Sequence, residues 1–236
     1  MNRSWSSWGK SVIGPAHIKS HIPNQDAYIV KHFVWGDVIV VADGLGSHKN
    51  SAIGAKAICE AVVSVAKVYS HISNINIERM LKAIHAKWLH ILGEYSPSTA
   101  SSTCLFVIKI QSKYIIAQLG DGIIIGYSKN NKYNFLLKET KEDSFSNVTN
   151  SLKNNFNIKD WRYKVLESEF EAFVLCTDGI SDDLMVNKEF DFGRELLNSY
   201  KNYSNRRVEA HLSKWLLKWP VPYHSDDKTI ACLYRR

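Results

Sequence analysis

The sequence lacks long apolar runs, paired cysteines and blocks of basic residues, and each absence narrows the possible protein class. No apolar stretch approaches the ~18 residues that a membrane-spanning helix requires, and residues 1–10 lack the apolar core of a signal peptide. The four cysteines form no Cys-x-x-Cys pair, which argues against a zinc site or a disulfide framework. We therefore expect buried free thiols and a cytoplasmic protein with no membrane partner.

The positive charge is spread along the chain. The 236 residues carry a formal net charge of +7, but Lys and Arg are scattered. A solvated basic surface is the simplest interpretation, and a nucleic-acid-binding module is an alternative based on that charge alone. Without an internal repeat or a low-complexity linker, we predict a single domain over residues 1–236.

Three apolar segments each run directly into Asp-Gly, which is the most informative pattern in the sequence. Each reads as a buried strand that delivers a carboxylate to a tight turn. A lone desolvated carboxylate costs several kcal/mol, and several of them repel one another unless a cation lies between them. A single Asp-Gly is usually an ordinary turn, but three after apolar strands favour a cation site. The segments are Val38–Gly46, Tyr114–Gly122 and Phe173–Gly179.

The ligand types indicate which cation. Asp43, Asp121 and Asp178 follow the three apolar segments, while Asp26 and the pair Asp226-Asp227 provide further carboxylates. Oxygen ligands suit Mg²⁺ or Mn²⁺, and no His or Cys occurs at zinc spacing. The expected cofactor is therefore Mn²⁺ or Mg²⁺.

The remaining pattern predicts an α+β fold. Period-two strands occur in pairs joined by short turns, as at Ala27–Val34 and Asp37–Ala42. Apolar residues spaced three or four apart predict helices over Asn50–Tyr69 and Ile77–Leu92, and a third near the C-terminus around Val208–Trp219. Strands grouped in hairpins argue against a parallel sheet and favour antiparallel sheets covered by helices.

At this point the chain resembles a family, the metal-dependent serine/threonine protein phosphatases of type 2C in their compact bacterial form. Each motif alone is weak, but together they occur in order along nearly the whole chain. The motifs are Asn24-Gln25-Asp26-Ala27, Val41-Ala42-Asp43-Gly44, Ser101-Ser102-Thr103-Cys104, Leu119-Gly120-Asp121-Gly122, Cys176-Thr177-Asp178-Gly179-Ile180 and Ser225-Asp226-Asp227-Lys228-Thr229.

The resemblance implies a four-layer α-β-β-α sandwich of two antiparallel sheets flanked by helix pairs. It implies that Asp43 bridges two metals, with the Gly44 carbonyl on the second and Asp178 and Asp226 on the first. Asp26 would act on the metal-bound water, and Asp121 would bind a third, looser metal with Asp178. Two Mn²⁺ or Mg²⁺ ions would lower the pKa of a bridging water, and the resulting hydroxide would attack phosphoserine or phosphothreonine in line.

Two positions depart from the family pattern. Eukaryotic members commonly carry a His after the second Asp-Gly as a general acid, and here Leu45 stands there. His48 could substitute for it and contact substrate, or it could be an exposed loop histidine. Where those members use an Arg to bind phosphate, this chain has His21, either a phosphate ligand or a structural residue. Gln25 replaces an acidic residue common in the eukaryotic motif.

Other features have two interpretations each. The polar segment 138–160 could be a substrate-selecting flap or a surface loop without a role. Trp88, Trp215 and Trp219 fall on apolar helix faces, which favours core packing over base stacking. Ser101, Ser102 and Thr103 are expected to support the strand ends by hydrogen bonds.

The leading hypothesis is a phosphoprotein phosphatase, monomeric, with a phosphorylated protein as substrate and a cognate kinase as its counterpart. A catalytically silent relative that binds phosphorylated partners is the alternative, motivated by Leu45 and His21. Nucleic-acid binding and hydrolysis of small phosphorylated metabolites are less favoured.

Overall fold

The computed structural model describes residues 5–46, 48–138, 149–167, 169–221 and 224–236. The strands are Trp5–Val12 (β1), Asp26–His32 (β2), Gly36–Asp43 (β3), Cys104–Ile110 (β4), Lys113–Leu119 (β5), Ile123–Ser128 (β6), Phe135–Lys138 (β7), Trp161–Leu166 (β8), Phe170–Cys176 (β9) and Lys228–Arg235 (β10). The α-helices are Pro15–Ser20 (α1), Ser51–Tyr69 (α2), Ile77–Leu92 (α3), Asp178–Ser181 (α4), Glu189–Tyr200 (α5) and Asn205–Leu217 (α6), and Pro97–Thr99 and Ile158–Asp160 are short 3₁₀ helices.

The strands form two antiparallel sheets of five strands each. One sheet has the order β1-β10-β9-β6-β7 and the other has the order β2-β3-β4-β5-β8. The predicted hairpins are confirmed, because β2 pairs with β3, β4 with β5 and β6 with β7. No helix among the described residues is long and apolar enough to cross a membrane.

Three apolar clusters hold the layers together. The first joins α2 and α3 to the second sheet around Trp88, which is fully buried. Another joins α5 and α6 to the first sheet, where Trp215 and Trp219 are partly buried against the cluster. The last fills the space between the sheets, including Phe173 and Leu105. The order helix, sheet, sheet, helix confirms the predicted α-β-β-α sandwich.

The four cysteines are buried and free, as predicted. Burial raises the pKa of their thiols, Cys59 and Cys176 among them, which keeps them protonated and unreactive.

Several elements were not predicted from the sequence. β1 forms an edge strand beside β10 although residues 1–23 showed little periodicity. Its small polar residues Ser6 and Ser7 are buried, so the usual alternation is hidden. α5 was also missed, because its buried positions include Glu189 and Gly193, which do not read as an apolar face. In the 138–160 segment, residues 139–148 lie outside the described part of the chain.

Candidate active site

Two carboxylates lie directly opposite each other at the edge of the second sheet. Asp26 begins β2, Asp43 ends β3, and the two residues are cross-strand partners. Like charges in this position destabilise a sheet. Their carboxyl groups instead share a hydrogen bond, which requires that one of them hold a proton in the metal-free protein. Packing gains nothing from this pair, so its position points to a functional site.

Strand ends from both sheets bring further carboxylates to the same place. Ligand oxygens of Asp43, Asp121 and Asp178 all lie within 4.8 Å of one another. Asp121 follows β5 and Asp178 follows β9, so the cluster spans the two sheets. Asp226, just before β10, groups instead with His17 and Asp227, although its charge acts on both Asp43 and Asp178.

Burial and mutual repulsion raise the pKa values of these groups. The pKa of Asp26 rises to about 7, mainly because the carboxyl is desolvated. Desolvation, with the nearby charges of Asp121 and Asp226, raises the pKa of Asp178 to about 8. The pKa of Asp43 lies well above its usual range for the same reasons. The other charges that act on Asp43 are those of carboxylates, so the site is short of positive charge.

Hydroxyl groups hold the carboxylates in place. Thr177 Oγ1 donates to Asp26 Oδ2 at 2.9 Å. The backbone N–H of Asp43 donates to Thr103 Oγ1 at 2.9 Å, and Ser102 Oγ donates to the Asp43 carbonyl at 2.8 Å. The hydrogen-bonding role expected for Ser102 and Thr103 is therefore present in the structure. Thr177 was quoted within its motif, but its role could not be inferred from the motif alone.

Gly44 allows the chain to leave β3 closely against helix α2. A Cβ placed on Gly44 would lie 2.6 Å from the backbone carbonyl group of Ser51, at the start of the helix. The Gly44 N–H donates to the Gln25 carbonyl, and Gly44 forms a bridge with Ser102. Only glycine fits this approach, which fixes the position of the loop beside the carboxylates.

Asp227 ties distant segments of the chain to the site. Its buried carboxylate accepts hydrogen bonds from the backbone N–H groups of Gly14 and Gln25, each at 2.6 Å. It also lies 2.9 Å from His17 Nδ1. These contacts connect residues more than 200 positions apart in sequence, so Asp227 positions the first motif and helix α1. Sequence analysis noted Asp227 but assigned it no role, and it missed His17.

The comparison with protein families decides the identity. The family model described as Protein phosphatase 2C matches residues 13–217. The chain belongs to the protein phosphatase 2C family. No curated protein matches the chain.

Solved structures of similar fold agree with this assignment. The catalytic domain of the serine/threonine protein phosphatase PstP, in complex with two manganese ions, superposes with a TM-score of 0.67 at 15% identity, covering 98% of this chain and 97% of PstP. RsbX in complex with magnesium gives a TM-score of 0.61 at 14% identity, covering 100% of this chain and 98% of RsbX. A chain from a structure titled for the bacterial stressosome gives 0.64 at 13% identity, covering 98% and 100%. At these identities, the likeness shows the fold.

The donor set of this phosphatase fits divalent metal ions. The clustered side-chain ligands are all carboxylate oxygens, which are the ligands that Mg²⁺ and Mn²⁺ prefer. The raised pKa values show that the buried carboxylates are not neutralised by the protein itself. A bound cation would remove this repulsion and restore the ionised state.

Asp121 carries an additional contact from the segment that follows residues 139–148. Thr149 Oγ1 donates to Asp121 Oδ2 at 2.9 Å. A Cβ on Gly120, whose φ is +86°, would lie 2.5 Å from the Asn150 carbonyl oxygen, so this segment packs directly on the turn. The end of the predicted flap is thereby attached to the carboxylate proposed for the looser metal.

The two histidines predicted as substrate contacts occupy different surroundings. His21 ends helix α1 with a left-handed φ of 55° and is exposed. His48 lies in the turn after Gly46, and its Nδ1 is hidden from solvent without a hydrogen-bond partner among the described residues. Neither belongs to the carboxylate groups described above. Their roles as phosphate ligands stay predictions.

A buried lysine supports the metal site and was not predicted. Lys228, at the start of β10, is 2% exposed, and its Nζ donates to the Asp226 carbonyl at 2.7 Å. Burial lowers its pKa, although Asp183 and Asp226 oppose the shift. The ammonium holds the backbone that presents the Asp226 carboxylate.

Proposed function

We propose that the chain is a phosphoprotein phosphatase that hydrolyses phosphoserine and phosphothreonine with two Mn²⁺ or Mg²⁺ ions. The observation that supports this most strongly is the group formed by Asp43, Asp121 and Asp178, with their oxygens within 4.8 Å of one another. In a member of the protein phosphatase 2C family, such a group favours metal-dependent phosphoester hydrolysis over the other functions that the sequence suggested.

In this proposal Asp43 is shared between the two ions, and the Gly44 carbonyl contributes to the second. Asp178 and Asp226 bind the first, and Asp121 with Asp178 provides a looser third position. When bound, the cations supply a water of lowered pKa as nucleophile and offset charge on the phosphoryl oxygens. The support for these assignments is the shared location of the carboxylates at the strand ends.

Asp26 is proposed to hold and transfer a proton rather than bind metal directly. Its Oδ2 accepts a hydrogen bond from Thr177, and its carboxyl shares a proton with Asp43 in the metal-free protein. Metal binding at Asp43 would ionise that residue and leave Asp26 as a base beside the nucleophile. Because Leu45 cannot donate a proton, the leaving oxygen takes its proton from another source, for which His48 and water are the candidates.

His21 is proposed as a phosphate contact because it is exposed at the end of α1, the helix that Asp227 links to the site. The substrate is proposed to be a phosphorylated protein, whose modification implies a serine/threonine kinase as counterpart. The stressosome named in one neighbour's title is an assembly of regulatory interest. We propose a comparable intracellular signalling role here.

The first test is phosphate release from a phosphothreonine peptide in EDTA, Mg²⁺ and Mn²⁺. We expect release that requires metal and that falls by on the order of 10³ in Asp43→Asn and Asp178→Asn. Asp191→Asn is the matched control, because that carboxylate is exposed and pairs only with Lys188 on the surface.

Circular dichroism should show that all variants are folded. Retained activity in both Asp43→Asn and Asp178→Asn would contradict the proposal. Metal binding without any turnover in the wild-type protein would support the silent phosphopeptide-binding alternative instead.

A further inference from the structure

Two joined clefts lie at the end of the sandwich opposite the carboxylates. One has a volume of about 490 Å³ and the other about 400 Å³. They share a wall formed by four residues, Lys201, Tyr234, Arg235 and Arg236. Strand β10 starts beside the metal site at Lys228 and reaches this wall about 20 Å away, at ~3.4 Å per residue. The clefts are therefore separate from the active site.

The two clefts differ in character. The larger is lined on its other side by polar groups, including Asn202 and Ser204. The smaller is lined by Tyr127, Ala172 and Leu197, which offer apolar surface. A ligand that filled both would have a polar end and a less polar end. Their sizes match those of small-molecule sites, which are typically ~300–1,000 Å³.

The charge of the clefts is strongly positive. Arg194, Lys201, Arg235 and Arg236 line them, against a single acidic residue, Glu171. Arg194 is held over the Tyr127 ring at 5.1 Å and donates to Asn131 Oδ1. This fixed guanidinium is prepared for an anion, since Arg binds phosphate oxygens with little loss of side-chain freedom.

A buried hydroxyl in the shared wall lacks a partner. Tyr234 is 3% exposed, and its hydroxyl group is hidden from solvent with no hydrogen-bond partner among the described residues. An unsatisfied buried hydroxyl is costly. Since Tyr234 contributes to both clefts, an acceptor on a bound molecule would satisfy it.

We propose that these clefts, the basic clefts, bind a small organic phosphate of about the size of a mononucleotide. The phosphate lies among Lys201, Arg235 and Arg236 and accepts from the Tyr234 hydroxyl. The organic part lies against Tyr127, Ala172 and Leu197. The site is independent of metal, because no residue of the carboxylate cluster contributes to it.

The test is isothermal titration of the full chain with AMP and ribose 5-phosphate, with adenosine and inorganic phosphate in parallel. Titrations in EDTA and in Mg²⁺ separate this site from any phosphate binding at the metals. We expect AMP or ribose 5-phosphate to bind at least about tenfold more tightly than adenosine or inorganic phosphate, with equal affinity in both buffers.

Three variants locate the site. Lys201→Gln and Arg235→Gln should each weaken binding about tenfold, since each removes a charge-assisted contact. Tyr234→Phe removes only the hydroxyl and should weaken it severalfold without affecting folding. Lys56→Gln is the matched control, because Lys56 is exposed on α2, on the other side of the sandwich.

Two outcomes would overturn the proposal. One is the absence of saturable binding of both organic phosphates at millimolar concentration. The other is binding that survives in all three variants or that is lost with EDTA, which would assign it to the metal site. Failure here leaves the phosphatase assay unaffected, so the two proposals are tested separately.

Discussion

Acidic side chains are buried at one end of the sandwich, whereas basic side chains lie around open clefts at the other. At the acidic end, Asp26, Asp43 and Asp178 are desolvated and their pKa values are raised. At the basic end, Arg235 and Arg236 remain exposed to water. The acidic end is therefore unfavourable for folding without a cation, while the basic end carries its charge at little cost. Burial of charge distinguishes a metal centre from a surface that binds reversibly.

The largest expected effect is on the pH dependence of stability without metal. Asp26, Asp43 and Asp178 have higher pKa values in the folded state than their usual unfolded values. The folded protein therefore binds more protons, and its stability falls as pH rises from about 4 to about 8. We expect the Tm in EDTA to fall by on the order of 10 °C over this range. Mg²⁺ should largely abolish the fall.

Asp43→Asn isolates this effect from that of other carboxylates. The variant should be more stable than the wild type at pH 8 in EDTA, and less stable than the wild type in Mg²⁺. Asp191→Asn should behave as the wild type. Scanning calorimetry from pH 5 to 8 measures both, and an equal Tm profile for Asp43→Asn and the wild type would show that Asp43 is not a strained carboxyl.

The next effect concerns the hydroxyl that holds Asp26. Thr177 is 1% exposed, donates to Asp26 and accepts from the Thr229 N–H at 3.1 Å. Thr177→Val should cost about 1–3 kcal/mol of stability, because two buried groups lose a partner. Since the Thr177 hydrogen bond lowers the pKa of Asp26, that pKa should rise further in the variant.

The pH profile of phosphate release should then move its acidic limb to higher pH. Thr177→Ser keeps the hydroxyl and should restore the wild-type profile. A Val variant with lower stability but an unmoved profile would limit Thr177 to a structural role.

Sequence patterns were sufficient for the parts of the molecule that depend on local order. Strand ends carrying Asp43, Asp121 and Asp178 could be predicted, because an apolar run followed by Asp-Gly is visible within nine residues. The contacts of Asp227 with Gly14 and Gln25 could not, since they join opposite ends of the chain. The basic clefts were also missed, because scattered residues form them only after folding.

A smaller effect separates two histidines of helix α1. His17 is partly buried against Asp227, whereas His21 is exposed. His17→Ala should lower stability by about 1 kcal/mol, or about 2–4 °C in Tm. His21→Ala should leave Tm unchanged and, if His21 contacts phosphate, raise the KM for the phosphopeptide. Unchanged kinetics in His21→Ala would remove His21 from the site.

The smallest effect tests whether the two ends are independent. Lys201→Gln removes one charge from the basic clefts, about 20 Å from the carboxylates by the ~3.4 Å rise of each β10 residue. Salt screens exposed charges over about 8–10 Å, so peptide hydrolysis without added organic phosphate should change less than about twofold. A larger change, measured at saturating Mg²⁺, would mean that strand β10 transmits the state of the basic end to Asp226. In that case the contrast between the ends would describe a regulated enzyme instead of two separate sites.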